Sequence, residues 1–349
     1  MSESLSEAPQ TPGTPDSPAG TRDIPVDLTT GEPTEDVAAV TSMVAGAPQL
    51  VAPVAGIPAS LGAGAMAGRK RSDFFYYGLR NKKLLFGLVL ESFFVLLALI
   101  GPFIAKYSPS ALTGPGLARP NGTYWLGTDN LGHDVFSQLV YGLRDSYLVG
   151  ALGAGSAAVV GMALGFLAGW RGGLFDEVIQ MFTNILIMIP ALVLLVVIGA
   201  YLPSRSVLFE GVFIGLTTWP WVARAVRAQT FSLRSREFVD LAKLSGKRSL
   251  SIILKDIAPN MASYLFLVII LLFGSSMLLA ASYDFLGIGP TNVVSLGSMM
   301  NNANQSAALF FHLWWWFIPP GVVLTLMVSA LLIANVGLDE VFNPKLREQ

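Results

Sequence analysis

The side chains that could support catalysis or metal binding are few in this sequence and widely scattered. There are two histidines, His133 and His312, with no metal-ligand spacing around either, and there is no cysteine. The nearest approach to a phosphate-binding loop is SGKRS at 245–249, but Leu241 stands where a glycine is needed and Arg248 where Ser or Thr would hold magnesium. The sequence therefore predicts no catalytic site, no metal site and no cofactor, and it argues against ATP binding by a P-loop.

Two carboxylates stand in apolar surroundings, where an acidic side chain is costly enough to suggest a role. Glu91 lies within one apolar stretch, and Asp284 follows another. Ionisable residues within a membrane usually mark pathways for ions or substrates. For Glu91, pairing with basic residues at the inner face is an equal alternative. Asp284 is expected to be solvated and to line the outer mouth of a pore.

A polar and basic stretch, residues 236–260, lies between two long apolar blocks. Phe238, Leu241 and Ala242 follow the spacing of one helix face. Gly246 is placed to end that helix, because glycine tolerates the turn that follows. The pattern predicts a helix, a glycine turn and a second short helix, held against a membrane by spans on both sides. Such a surface is suited to contact a soluble partner, and an ordinary amphipathic loop is the alternative.

The elements that position these residues follow from composition. The chain of 349 residues is 53% hydrophobic and only 13% charged, whereas soluble domains carry about 25% charged residues, which indicates a membrane protein. Each apolar block is long enough to cross a bilayer as a helix, which takes about 20 residues. The predicted fold is an all-α polytopic membrane protein. Its six predicted transmembrane helices lie at about 84–105, 146–170, 178–200, 207–226, 261–281 and 313–336.

Small residues and prolines predict how some of these spans pack. In the second span, small residues recur every four positions and share one helix face, at Gly153, Ala157, Gly161, Gly165 and Gly169. Such a face allows a close helix crossing. We expect that crossing within the subunit, and a subunit interface is the alternative. Pro190 and Pro220 lie inside the third and fourth spans and predict kinks there.

The distribution of basic residues predicts the orientation. With the amino terminus inside, all but four of the 22 Lys and Arg residues fall in cytoplasmic segments; the exceptions are Lys106, Arg119, Arg144 and Arg205. An excess of basic residues is expected on the cytoplasmic side. Both termini and residues 236–260 are therefore predicted to be cytoplasmic, while 106–145 and 285–312 face outward.

Residues 1–68 differ in composition from the rest of the chain. They hold nine prolines, eight acidic residues and a single basic one. A segment with so little apolar surface cannot offset its chain entropy. We predict a disordered cytoplasmic tail over 1–68, followed by a transmembrane domain over 69–349.

Five stretches together carry a resemblance to a known family. They are WLGTDNLGHDV at 125–135, GWRGGLFDE at 169–177, the whole of 236–260, FLGIG at 285–289 and GLDEVFNPKLR at 337–347. Through these motifs the chain from about residue 70 onward resembles the permease subunits of binding-protein-dependent ABC importers, of the dipeptide/oligopeptide (DppC/OppC-like) family.

The resemblance implies a multi-pass subunit of the cytoplasmic membrane that imports peptides by alternating access and is not itself an enzyme. It also implies several partners: a second, different permease subunit, cytoplasmic ATPase subunits, an extracytoplasmic substrate-binding protein and membrane lipid, with no nucleic acid. Residues 236–260 match the family's loop that docks into the ATPase. Within that loop, the resemblance assigns ATPase coupling to Asp240, Leu241, Ala242 and Gly246, with Phe238 on the same face.

Departures from the family pattern leave the cargo open. Ala280 stands where the family usually has Glu, Asp284 where it has Ser, and His133 where it has Arg. Oligosaccharide and nickel importers share the architecture and remain alternatives to peptide import. An ion-coupled carrier that uses Glu91 and Asp284 is a more distant one, because no inverted repeat is evident. A membrane-embedded enzyme would need convergent titratable residues that the sequence lacks.

Overall fold

The computed structural model describes residues 78–201 and 205–342, and the regular structure of that part is helical apart from an isolated β-bridge between Thr128 and Asp134. The tail predicted over 1–68 lies outside the described residues. The helices are α1 (Lys82–Ile104), α2 (Val135–Arg171), α3 (Gly173–Met188), α4 (Ala191–Tyr201), α5 (Val207–Arg234), α6 (Glu237–Leu244), α7 (Ser249–Ile252), α8 (Ala258–Asn260), α9 (Ala262–Phe285), α10 (Leu296–Gln305) and α11 (Trp314–Phe342). A π-helical turn, Ile253–Ile257, joins α7 to α8.

Four helices in the described part, α1, α2, α9 and α11, are long and apolar enough to cross a membrane. The predicted third span is instead a pair of helices, α3 and α4, bent by 86°. The bend falls at Pro190, which cannot donate a backbone hydrogen bond. The predicted fourth span lies within α5, which is long enough but carries several charges and is not among the four. The predicted count of six is therefore reached only if the bent pair and α5 are both included.

The most extensive helix contact joins α2 to α5, and it depends on the small residues of α2. A Cβ added at Gly161 would lie 2.8 Å from the carbonyl oxygen of Trp219, and one at Gly165 would lie 2.7 Å from that of Ala223. Backbones approach this closely only where a side chain is missing. The prediction that the small-residue face packs within the subunit is confirmed.

One end of the bundle collects the basic residues of several helices. The start of α1 is joined to the end of α11, because Asn81 and Lys83 both donate to the Glu340 carboxylate, at 2.7 and 2.6 Å. The end of α5 is joined to the end of α2 by Arg234, which donates to the carbonyl oxygen of Trp170 at 2.8 Å. We refer to this end, to which residues 236–260 also belong, as the basic end.

The opposite end is formed by the long connections between helices. The last turn of α1 packs on α2 there, since a Cβ at Gly101 would lie 2.7 Å from that of Val140. The connection over 105–134 folds around the Asp129 carboxylate, which accepts from the backbone N–H and the ring of His133, at 2.9 and 2.6 Å. His133 thus has a structural hydrogen bond. We refer to this end, which also holds residues 286–313, as the loop end.

Candidate functional site

The segment at the basic end begins as a short helix whose charges suit its dipole. Arg236 has extended backbone angles, and α6 starts immediately after it. Glu237 and Asp240 lie in the first turn and Lys243 in the last, where negative and positive charges respectively are favoured. Lys243 also donates to Asp240 at 2.9 Å, but both side chains are well exposed and such a pair contributes little.

Gly246 ends this helix, as the sequence predicted. Its φ is +74°, in the left-handed region that favours glycine. The N–H of Gly246 donates to the carbonyl of Lys243 at 2.9 Å, and that of Lys247 donates to the carbonyl of Ala242 at 3.2 Å. These two bonds form a Schellman motif, which satisfies the last carbonyls of the helix. The turn is therefore determined locally by the glycine and needs no other part of the protein.

The second half of the segment folds back beside the first. Lys247 donates to both carboxylate oxygens of Asp256, at 2.9 and 3.1 Å, and this closes the turn onto the π-helical residues. Pro259 lies in the first turn of α8, where its missing N–H costs nothing. The segment is thus a compact helical hairpin continuous with α5 on one side and, through α8, with α9 on the other.

One face of the hairpin is built into the bundle. Val239 and Ile257 are fully buried, in a cluster with residues of α2 and α5. Ala242 is also buried, and Phe238 is partly buried against the same cluster. The expected grouping of Phe238, Leu241 and Ala242 on one outward face is therefore wrong. These positions span a wide arc of the helix surface. One edge of that arc faces the bundle, and the other edge is exposed.

Four leucines of the hairpin are exposed, and we name them together the leucine ridge. Its members are Leu241, Leu244, Leu250 and Leu254, with exposed fractions of 64, 85, 62 and 57%. Apolar groups exposed together in an otherwise polar and basic segment mark an interaction surface. Of these four, only Leu241 was predicted from the sequence. The three-residue and four-residue spacings of the others were a signal that could have found them.

A second site lies at the loop end, around Asp284. This residue is in the last turn of α9 and is only 4% exposed, so the expectation that it is solvated is wrong. The connection after α9 folds back over it, and the Ser295 hydroxyl donates to Asp284 Oδ2. Asp284 Oδ1 has no hydrogen-bond partner within the described residues. A carboxylate that had been expected at a wet pore mouth is instead covered by its own chain.

Two further carboxylates that the sequence analysis did not single out join Asp284. Asp145, near the start of the second predicted span, and Glu210, in the first turn of α5, line one cleft with it. We name this cleft the acidic cleft. Glu210 is 6% exposed, and its Oε1 also has no partner among the described residues. The signal in the sequence was an acidic side chain at the start of each of two spans.

Glu91 does not belong to this group, because its hydrogen bond is to a different part of the bundle. The Tyr147 hydroxyl donates to Glu91 Oε1 at 2.8 Å, while Oε2 has no partner within the described part of the chain. The pairing with basic residues considered for Glu91 is not formed in that part. Glu91 and Asp284, which were proposed together, therefore have different partners.

Comparison with known proteins relates this chain to a family of transport proteins. Residues 161–348 match the model of a family described as binding-protein-dependent transport system inner membrane component. The dipeptide transport system permease protein DppC of Alkalihalophilus pseudofirmus is 31% identical over 271 residues, which cover 77% of this chain and 88% of that protein. DppC of Haemophilus influenzae is 29% identical, over 79% of this chain and 95% of its own length. The oligopeptide transport system permease protein OppC of Bacillus subtilis is 28% identical, over 64% of this chain and 73% of its own length.

Proposed function

The chain belongs to the family of binding-protein-dependent transport system inner membrane components, and from that premise we propose that it is a permease subunit of an ATP-driven peptide importer. The relatives with the names given above are dipeptide and oligopeptide permeases, which supports peptides as the cargo. The leucine ridge supports the coupling to an ATPase. It is the observation that carries this proposal, because an exposed apolar row on a cytoplasmic hairpin needs a partner to cover it.

We infer that the whole helical hairpin over 236–260 transmits movement between the ATPase and the spans. Its inner face is packed in the bundle through Val239 and Ile257, and its ends are continuous with α5 and, through α8, with α9. A partner that moves Leu241 or Leu244 therefore moves the ends of two helices as a rigid body. In this assignment Asp240, Leu241 and Gly246 face the ATPase. Phe238 and Ala242 act differently, by anchoring the hairpin to its own subunit.

The remaining elements of the proposal concern topology and assembly. We propose six crossings, formed by α1, α2, the bent α3–α4 pair, α5, α9 and α11, with the basic end in the cytoplasm. The excess of Lys and Arg at that end supports this orientation. The pore would be completed by a second, related permease subunit. An extracytoplasmic binding protein would deliver cargo at the loop end, and ATP-driven movement of the hairpin would shift the spans between outward-open and inward-open states.

The test is transport by a reconstituted assembly. The chain is placed in proteoliposomes together with its partner permease, ATPases and binding protein, and uptake of a radiolabelled dipeptide is measured with and without ATP. We expect uptake that requires ATP and is insensitive to an ionophore that collapses ion gradients. ATP-independent uptake that the ionophore abolishes would identify an ion-coupled carrier. Uptake of an oligosaccharide or of nickel, with none of the dipeptide, would overturn the peptide assignment.

A further inference from the structure

Three carboxylates, two of them buried, line the acidic cleft at the loop end. Glu210 and Asp284 are each more than nine-tenths buried. Within the described residues, neither forms an ion pair with Lys, Arg or His, and neither does Asp145. A buried carboxylate without a partner of opposite charge is strongly unfavourable. Such a group of carboxylates is stabilised when one of them takes up a proton, or when a cation bound from outside the chain supplies positive charge.

The unpartnered oxygens lie where such a cation would bind. Glu210 Oε1 and Asp284 Oδ1 are both buried without a hydrogen-bond partner in the described part of the chain, and both residues line the acidic cleft. Glu210 also lines a second, small cleft, formed by α4, α5, the end of α9 and the connection that follows it. The space beside Asp284 depends on Gly289, because a Cβ at that position would overlap Asp284 Oδ1.

The one basic residue lining either cleft does not neutralise the carboxylates. Arg205 lines the second cleft, but its Nη1 donates to the carbonyl oxygen of Gly287, at 3.4 Å, and its side chain is exposed. It is not within ion-pair distance of Glu210, since no such pair is formed among the described residues. Among the described residues that line the two clefts, no basic side chain is therefore paired with Glu210 or Asp284.

The shape and chemistry of the cleft restrict the cation. Within the described residues, no group of three or more His, Asp or Glu side chains is arranged to hold a metal ion. The free space between the side chains that line the two clefts is close to the size of a water molecule, so each cleft admits a small terminal group and not a whole peptide. A primary ammonium is about the size of a water molecule and offers three N–H donors. Its hydrogen bonds to carboxylate oxygens are charge-assisted and strong.

We propose that the acidic cleft is a subsite of the permease that binds the protonated amino terminus of a peptide through Glu210 and Asp284. Asp145 contributes negative charge at the edge of the cleft, where its side chain is half-buried. The cleft lies at the start of α5 and the end of α9, which is the loop end, where cargo enters in the topology proposed above. This inference rests on the proposed peptide-import function and extends it from the class of cargo to the group that is recognised.

The experiment measures binding to the purified complex of both permeases and the ATPases, without the binding protein. The probes are Ala-Phe, N-acetyl-Ala-Phe, ethylammonium chloride and sodium chloride, and the readout is the concentration that raises Tm half-maximally. We expect Ala-Phe and ethylammonium to raise Tm and the other two to have no effect at equal ionic strength. In Glu210→Gln and Asp284→Asn, the half-maximal concentration of Ala-Phe should rise about tenfold or more, as for loss of a hydrogen bond to a charged group. Glu177→Gln, an exposed carboxylate on α3, is the matched control and should bind as the native protein does.

Several outcomes would overturn the inference. Equal effects of Ala-Phe and its acetylated form would show that the amino group is not recognised. An equal effect of sodium would assign the cleft to an inorganic cation. Unchanged binding in both neutralised variants would remove Glu210 and Asp284 from the subsite. If those variants fail to assemble, the comparison of probes on the native complex still decides. Failure of the peptide-import function is separately visible, as absence of dipeptide uptake by the complete reconstituted assembly.

Discussion

Substitution of Gly246 separates the proposed role of the hairpin in coupling from its role in folding. The structure supplies the needed facts, because φ at this residue is +74° and no described atom beyond its chain neighbours lies within 4 Å of a Cβ built there. The cost of a side chain within the subunit is therefore only the strain of a left-handed backbone. We predict that Gly246→Arg abolishes uptake, while Gly246→Ala retains most of it.

The magnitude follows from the backbone strain. An L-residue in the left-handed region costs about 1–2 kcal/mol, and asparagine tolerates that region better than other side chains. Because the space around position 246 is open, Gly246→Arg and Gly246→Ala should differ in stability by no more than about 0.5 kcal/mol, as exposed substitutions generally do. If uptake is lost in Gly246→Arg but not in Gly246→Ala, this small difference in stability cannot explain the loss. The loss must then arise from contact between the arginine and a partner.

The assay compares the Ala, Asn and Arg variants in parallel for membrane level, Tm of the purified complex, co-purification of the ATPase and peptide uptake. Loss of co-purification with Arg alone would place the defect in docking. Normal co-purification with lost uptake would place it in transmission of movement. Equal uptake by the Arg and Ala variants would refute the coupling assignment and make the hairpin a passive linker. A much lower Tm for Arg than for Ala would refute the reasoning about open space.

Four further predictions concern topology, the tail, ATP hydrolysis and helix packing. A Ser249→Cys variant should react with an impermeant thiol reagent only after permeabilisation, since the chain has no cysteine of its own; labelling in intact cells would reverse the orientation. Deletion of residues 2–60 should leave uptake and membrane level unchanged, and a loss of uptake would contradict this. The isolated subunit should hydrolyse no ATP, and measurable hydrolysis would contradict that. Gly161→Leu should prevent assembly, because a Cβ at 161 would lie 2.8 Å from a carbonyl oxygen of α5. Gly155→Ala should be neutral, because a Cβ at 155 would have nothing within 4 Å. Similar co-purification of the two variants would contradict the packing of α2 on α5.

Properties with a local physical cause could be predicted from the sequence. The long apolar blocks indicate helices able to cross a membrane, and four of them meet that description in the structure. The left-handed turn at Gly246 was predictable, because no other residue adopts that conformation as readily. The close packing of the small-residue face of α2 was also predictable, because a missing side chain permits close approach whichever helix is the partner.

The direction in which a side chain points was decided only by tertiary structure. Ala242 and Phe238 face the bundle and Leu241 faces away because one edge of α6 packs into the apolar cluster that it shares with other helices, and helical spacing alone does not choose which edge of an arc is covered. Asp284 is buried because the chain after α9 folds back to place Ser295 against it. Its grouping with Asp145 and Glu210 brings together three helices that are distant in sequence. Convergence of this kind depends on how the helices pack, and no local pattern in the chain encodes it.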